Sequence, residues 1–317
     1  MKTTSRLSTL KSAQRPICIA AGFFDGLHRG HRAVLLSTIA AARECAGAAW
    51  VLTFETHPMK TLCPERAPLM LTCDEHKKRL LCSLGMDGCL MLRFNRSFAN
   101  MTPEEFADEL CGNVPSLQTI VVGSNWRFGR NGTGNHRNLR NLMKKRGVSV
   151  IAVDPLVWHG QAISSTRIRT AVARGKLGAA CGMLGRPFSV LGTVMRGRGI
   201  GKTIGFPTAN LAPCNEVRPP DGVYAVQADI GLNMVVDGVM NIGTRPTFSS
   251  EPNPVSTLEL FLPEFSGNLY GRTIEVFFIN KIRNEQKFAS PAALARQIAR
   301  DVKEAVSYLK KAAQKII

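Results

Sequence analysis

His28 and His31 stand three apart in the stretch Gly22-Phe23-Phe24-Asp25-Gly26-Leu27-His28-Arg29-Gly30-His31, and the chemistry open to them there is phosphate chemistry. Neutral imidazoles donate hydrogen bonds to phosphoryl oxygens, and glycines let the backbone come close to a ligand. The stretch follows a short apolar run, Ile17 to Ala21, and opens into a helical pattern with Val34, Leu35, Ile39 and Ala42 on one face. A strand, a tight turn and a helix start are therefore expected. Such a helix N-terminus presents unpaired N–H groups and the positive end of its dipole to an anion. Gly22, Phe24, Asp25, Gly26, His28, Gly30 and His31 form this candidate rim.

A second centre lies far along the chain. The loop Gly197-Arg198-Gly199-Ile200-Gly201-Lys202-Thr203-Ile204-Gly205 offers Gly197, Gly199, Gly201 and Gly205, but it lacks the spacing of a Walker A loop. The next residues raise its value: Phe206-Pro207-Thr208-Ala209-Asn210-Leu211 puts a hydroxyl and an amide oxygen two apart on one face of a strand, suited to holding hydrated Mg²⁺ against phosphates. Glu259, inside the otherwise apolar strand Leu258 to Leu262, is placed to orient or deprotonate a substrate hydroxyl. All six histidines precede residue 160, so this second centre works without one.

The elements that must position these groups fall into two classes. From residue 17 to about 153, strand-like runs (Ala48 to Phe54, Gly88 to Leu92, Ser116 to Val122, Val148 to Val153) alternate with helical stretches at 31–47, 73–85, 102–112 and 137–146. That alternation predicts a parallel sheet with crossover helices, and ligands of such sheets bind at the carboxyl ends of the strands. Three further polar turns fall there: Phe54-Glu55-Thr56-His57-Pro58, Gly123 to Arg130 with Asn125, and Ile163-Ser164-Ser165-Thr166-Arg167-Ile168-Arg169. The last joins hydroxyls suited to capping a helix with arginines suited to forked phosphate contacts. A helical stretch over 167–184 ends at Leu184-Gly185-Arg186-Pro187. Beyond it come short strands (189–195, 222–228, 234–238, 256–262, 273–278), and then a helix from Pro291 with Leu294, Ile298, Val302, Ala305 and Leu309 on one stripe. The expected fold is a Rossmann-like α/β domain over 1–185 followed by a small antiparallel β-barrel with a C-terminal helix over 186–317.

With 317 residues the chain has room for two such domains, and no apolar run approaches the roughly 18 residues of a membrane span. The basic, hydroxyl-rich start MKTTSRLSTLKSAQRP lacks an apolar signal core and is expected to be a disordered lead-in. Nine cysteines without a CxxC spacing read as reduced, mostly buried thiols of a cytoplasmic protein and not as a zinc site. The net charge is +18, and no acidic residue lies between Glu109 and Asp154, where Arg127, Arg130, Arg137, Arg140, Lys144, Lys145 and Arg146 gather. A polyphosphate ligand, a nucleic acid and a solvated basic face all fit that patch; its glycine-rich setting favours the first.

GFFDGLHRGH, FETHP, GSNWRFG, ISSTRIR, GFPTANL, GVY, NIGTRPTF, LYG and RNEQKF occur in an order that resembles the prokaryotic bifunctional riboflavin kinase/FMN adenylyltransferase (FAD synthetase) family. The resemblance runs from about Ile17 onward, and GFPTAN with a later strand glutamate and LYG is characteristic of flavokinases. It implies a nucleotidyltransferase domain that adenylylates FMN and a barrel that phosphorylates riboflavin, with ATP and Mg²⁺ as co-substrate and metal, and FMN and FAD as products. His28 and His31 then resemble the HxGH pair at the ATP phosphates. Asn125 stands where the family has Asp or Asn, and Trp126 replaces the usual Phe. Ser164, Ser165, Thr166 and Arg167 match the segment over the adenylate site, Arg167 joining the two histidines in compensating charge. Thr208 and Asn210 match the metal and ATP residues of PTAN, with Pro207 and the glycine loop about the nucleotide, and Glu259 matches the catalytic carboxylate. The chain departs from the family after Glu259, where Phe261 and Pro263-Glu264 replace a turn that often carries histidine. The partners implied are small molecules, without nucleic acid or membrane; a homo-oligomer is left open. The alternatives are a nucleotidyltransferase with another acceptor, such as nicotinamide mononucleotide or phosphopantetheine, and a basic nucleic-acid-binding protein without catalysis.

Overall fold

The structure, a computed structural model, describes residues 1–197, 201, 205–231, 234–244 and 256–314. They form two compact units: Met1–Met70 with Asp74–Ser165, and Leu71–Cys73 with Thr166–Ile317.

The first unit is built on a parallel sheet of β1 (Lys2–Thr4), β2 (Ile17–Ala21), β3 (Ala48–Phe54), β4 (Gly88–Leu92), β5 (Leu117–Gly123) and β6 (Ser149–Val153), in the order β1-β4-β3-β2-β5-β6. Successive side chains of one strand point to opposite faces, and each face carries its own core. Ile17, Ile19, Ala21, Trp50 and Leu52 pack with Phe106, Leu110, Leu139 and Met143 on one side. Cys18, Ala20, Ala49 and Val51 pack with Val34, Leu35, Ile39 and Leu81 on the other. The helices supplying these partners are α1 (Arg29–Glu44) and α2 (Asp74–Ser83) against the second face, and α3 (Pro103–Asn113) and α4 (His136–Lys144) against the first. α3 begins with a capping box, Thr102 and Glu105 each holding the other's backbone amide, and Pro103 in the first turn. The expected disordered lead-in is corrected here: Lys2–Thr4 extends the sheet, Lys2 lying opposite Gly88 of β4. Edge-strand pairing satisfies backbone groups regardless of side-chain polarity, which is why composition did not reveal it.

The expected single helix over 167–184 is two, α5 (Ser165–Ala173) and α6 (Leu177–Leu184), separated at Gly175, whose φ of 68° lies in the left-handed region. The barrel strands are β7 (Phe188–Met195), β8 (Ala209–Pro213), β9 (Gly222–Asp229), β10 (Val235–Thr244), β11 (Ser256–Phe261) and β12 (Thr273–Arg283), closed in the order β7-β8-β11-β10-β9-β12. The final helix, α7 (Pro291–Gln314), lays Val302, Ala305 and Leu309 on Val223, Ala225, Val239, Ile279 and Ile282. Asp301 of the same helix is almost fully buried and takes two bonds at 3.0 Å from Arg283 Nε, one at 2.8 Å from Arg283 Nη2 and one at 2.8 Å from Gln297.

Leu71–Cys73 belongs to the barrel's unit through Asn215, which donates to the Leu71 carbonyl and, at 3.3 Å, to that of Ser189 while accepting from the Leu191 amide at 3.0 Å. Beside it Cys73 and Cys214 form a disulfide, their Cα atoms 5.7 Å apart. This corrects the expectation that every thiol is reduced: residues 141 apart in sequence meet only once the unit has folded. Cys18 and Cys89 do follow the expectation, since burial pushes both thiols up to about 11 and holds them protonated near neutrality. Among the described residues, no helix is long and apolar enough to cross a membrane.

Candidate active sites

The turn after β2 folds as expected, through unusual backbone. Phe24 (φ 55°), Gly26 (φ 77°) and Leu27 (φ 38°) all take positive φ; two of them carry a Cβ, so the surroundings must impose the turn. Thr53 Oγ donates to the Phe23 carbonyl at 2.9 Å and Ser165 Oγ to the Asp25 carbonyl at 2.9 Å. Asp25 itself is buried.

His28 then caps α1: its Nδ1 accepts from the His31 amide at 3.2 Å. In a neutral ring this leaves the proton on Nε2, the nitrogen able to donate to a phosphoryl oxygen. The two imidazoles stack at 3.6 Å, with Phe24 edge-on to His31 at 5.3 Å. A side chain at Gly30 would begin 3.2 Å from His28 Cε1, and one at Gly22 would begin 2.9 Å from the Phe24 ring, so both glycines keep the rim narrow. The structure thus brings together Gly22, Phe24, Asp25, Gly26, His28, Gly30, His31 and Ser165, while Ser164, Thr166 and Arg167 flank Ser165 at the start of α5.

Two nearby histidines serve the backbone. His57 caps a short helix, Nδ1 accepting from the Met59 amide at 3.1 Å, and meets the Phe23 ring edge-on at 4.6 Å. His136 Nδ1 lies 2.7 Å from the Ser124 carbonyl and braces the turn that leaves Asn125 exposed. Of the basic cluster, Arg137, Arg140, Lys144 and Lys145 are exposed on or just after α4, whereas Arg146 pairs with Asp108.

Two features lie beyond the local motifs, although Phe54 and Trp126 each belong to one. Phe54, Phe94 and Phe98 pack edge-on or tilted at 5.1 to 5.8 Å, Phe98 leads on to Phe106, and Trp126 stacks on Phe128 at 4.8 Å and 8°. These rings line the ends of β3, β4 and β5, and an aromatic spacing irregular in sequence gives no periodic pattern. Lys77 of α2 is fully buried, its Nζ 4.3 Å above the Phe23 ring and 3.4 Å from the Phe54 carbonyl. Burial pushes its ammonium below the ordinary lysine range, against the charges of Asp74 and Asp25.

On the barrel, register makes the second centre. Asn210 of β8 lies directly opposite Glu259 of β11, which lies directly opposite Asn241 of β10. Paired residues of an antiparallel sheet share a face with Cβ atoms about 5 Å apart, so the three side chains form a row across three strands. Asn241 is the member that sequence spacing missed, since only strand pairing brings it to Glu259. Thr208 precedes the row by two residues. The Phe206 amide donates to the Gly201 carbonyl at 2.8 Å, and Gly201 packs so closely that a Cβ would overlap the Phe206 carbonyl and lie 3.1 Å from Thr208 Oγ. A Cβ on Gly197 would overlap the Asn210 amide. Gly205 holds φ 87°, open only to glycine at low cost, and Pro207 is exposed. Gly199 lies outside the described residues. Phe261, at the departure after Glu259, meets Phe206 edge-on at 5.4 Å, so an aromatic contact occupies that side of the row.

Two family models match the chain: FAD synthetase over residues 10–167 and riboflavin kinase over residues 184–309. The bifunctional riboflavin kinase/FMN adenylyltransferase of Escherichia coli (strain K12) is 38% identical over 303 residues, covering 95% of this chain and 96% of its own. That of Bacillus subtilis (strain 168) is 34% identical over 302 residues, covering 94% of each. A crystal structure from Streptococcus pneumoniae, described as a macrolide-efflux protein, superposes with a TM-score of 0.84 at 29% identity, covering 96% of this chain and 98% of that one. With two stacked histidines, the first capping a helix at the carboxyl end of an interior strand of a parallel sheet, and a carboxylate set between two asparagines on a closed barrel, the chain belongs to the bifunctional riboflavin kinase/FMN adenylyltransferase family.

Proposed function

We propose that the barrel makes FMN at the row Asn210–Glu259–Asn241 and that the α/β unit converts FMN to FAD at the His28–His31 rim. In the first reaction the terminal ribityl hydroxyl of riboflavin attacks the γ-phosphorus of ATP; its proton passes to Glu259, and ADP leaves. Glu259 directly across from Asn210 is the observation that carries this reading, because it sets a base beside the group assigned to ATP. Thr208 and Asn210 supply two neutral oxygens and no carboxylate, a donor set that suits Mg²⁺ completing its shell with water and phosphate. When bound, the metal would offset phosphate charge. Gly197 and Gly201, packed against Asn210 and Thr208, keep bulk away from these oxygens.

In the second reaction a phosphate oxygen of FMN attacks the α-phosphorus of a second ATP, and pyrophosphate leaves. No protein base is required, since a phosphate monoester is already ionised near neutral pH. His28 and His31 donate to the phosphate oxygens, Arg167 adds a forked contact, and the α1 N-terminus compensates the developing charge. Ser164, Ser165, Thr166 and Asn125 complete the ATP site; the half-buried rings of Phe54, Phe98 and Trp126 offer the flavin a stacking surface. Small molecules are the partners, and the cytoplasm, where ATP is available, is the place of work.

A time course with riboflavin, ATP and Mg²⁺ tests both halves. FMN is expected to rise and then fall as FAD and pyrophosphate accumulate. FMN that accumulates without FAD would refute the adenylylation role, and FAD formed from FMN but never from riboflavin would refute the kinase role.

A further inference from the structure

Lys77 is the one fully buried lysine of the first unit's core, and nothing in the two reactions uses it. Burying an ammonium costs several kcal/mol unless it is well partnered, so its surroundings carry information. The Nζ lies over the face of Phe23, where the ring quadrupole attracts a cation, at 4.3 Å. It is 3.4 Å from the Phe54 carbonyl at the end of β3, long for a hydrogen bond but close for a charge and a dipole. The carboxylates acting on it are Asp74, three residues back on α2, and Asp25, inside the turn; the buried Cys89 of β4 also faces it. Phe23 and Asp25 belong to the histidine rim and the Phe54 carbonyl ends the strand beside it, while Asp74 lies on α2 itself and Cys89 on β4; Lys77 is fully buried among them, so its ammonium acts on the rim from beneath and does not itself meet a nucleotide.

Phe23 is the last residue before the backbone enters positive φ at Phe24, Gly26 and Leu27, and His28 follows at once. Its carbonyl is held by Thr53, its ring edge by His57 and its ring face by Lys77. Strained turns persist where neighbours over-determine them, and Lys77 is the charged member of that set. We propose that Lys77 is a positioning residue for the adenylylation step: its buried charge pins Phe23 and Asp25, and through them holds His28 where negative charge develops on the α-phosphoryl group. The inference rests on the adenylylation role given to His28 above.

The test compares the full-length Lys77→Met and Lys77→Arg variants with His28→Ala. Methionine keeps most of the stem's packing and removes the charge. The expected result for K77M is a kcat for FMN-to-FAD conversion lower by about tenfold to a hundredfold, the cost of misplacing a catalytic group by about 1 Å. KM for ATP is expected to stay within about threefold, since the interaction lost is one made in the transition state. Riboflavin kinase activity, measured on the same samples, is expected to be unchanged, and K77R to recover kcat to within about threefold of the parent if the restored charge is what matters. A K77M protein with parental kcat overturns the proposal, as does one in which only KM for ATP rises. Should K77M lose the first unit's fold by circular dichroism, K77R decides: folded and near-parental supports positioning by charge, folded and slow overturns it. If H28A itself keeps normal FAD output, the reading of the histidine rim fails; if H28A is impaired and K77M is not, only the role of Lys77 fails.

Discussion

Replacing His28 by alanine removes a helix cap and a phosphate donor together, because Nδ1 holds the His31 amide while Nε2 carries the proton of the neutral ring. Asparagine separates the two, since its side-chain oxygen is among the best helix caps while its amide N–H groups end short of the position that imidazole Nε2 reaches. H28A and H28N are both expected to slow FAD formation on the order of 10²-fold or more, while only H28A loses about 1 kcal/mol of stability to the missing cap; steady-state assays and thermal unfolding distinguish them. In the barrel, Glu259→Gln keeps the shape and removes the base. It is expected to cut FMN formation by about 10² to 10⁴ and to leave conversion of added FMN to FAD intact. Both histidines and Glu259 were legible in the sequence, because a turn between strand and helix and a lone carboxylate in an apolar strand are local patterns. Asn241 and Lys77 were not. A lysine in the helix Asp74–Ser83 reads as solvated until tertiary packing shows it under Phe23, and an asparagine becomes a neighbour of Glu259 only through strand register.

At the level of elements, α7 is held to the barrel by an apolar stripe and by one charged clamp. The stripe was readable from its period, and the clamp was not, because Arg283 and Asp301 belong to different elements. Asp301 is buried and Arg283 reaches it through three bonds. Asp301→Ala would leave the mostly buried guanidinium without its counter-charge, still holding the Asn284 carbonyl and the Phe288 ring, at a cost of about 3 kcal/mol, which for a unit of this size lowers the unfolding midpoint by roughly 10 °C. Differential scanning calorimetry is expected to show that loss in the barrel's transition. The strand and helix alternation of the first unit was likewise legible, each observed boundary falling within a few residues of the pattern. What the pattern could not carry was β1, whose three residues pair by backbone alone, and the break at Gly175, which depends on one left-handed residue.

At the scale of the whole chain, the second unit takes Leu71–Cys73 from the middle of the first unit's sequence. No periodicity marks three residues that leave their surroundings, so this was invisible before the fold. The disulfide Cys73–Cys214 fixes the arrangement. A cross-link closing so long a loop is typically worth about 2 to 4 kcal/mol. Reductant, or Cys214→Ser, is therefore expected to lower the barrel's unfolding midpoint and leave that of the α/β unit in place; an unchanged barrel midpoint would show that the bridge does not form in solution. The same discontinuity bears on the order of synthesis. Leu71 leaves the ribosome long before Asn215, so the carbonyl that Asn215 is to hold waits in a half-made protein while the intervening α/β strands and helices are completed. A gene fragment beginning at Arg186 would encode every barrel strand and the final helix, yet it would lack the Leu71 carbonyl, one of the backbone groups that Asn215 holds. A barrel fragment supplied with residues 71–73 is therefore expected to be more stable than one beginning at Arg186, in which Asn215 keeps its bonds to Ser189 and Leu191 but not the one to Leu71.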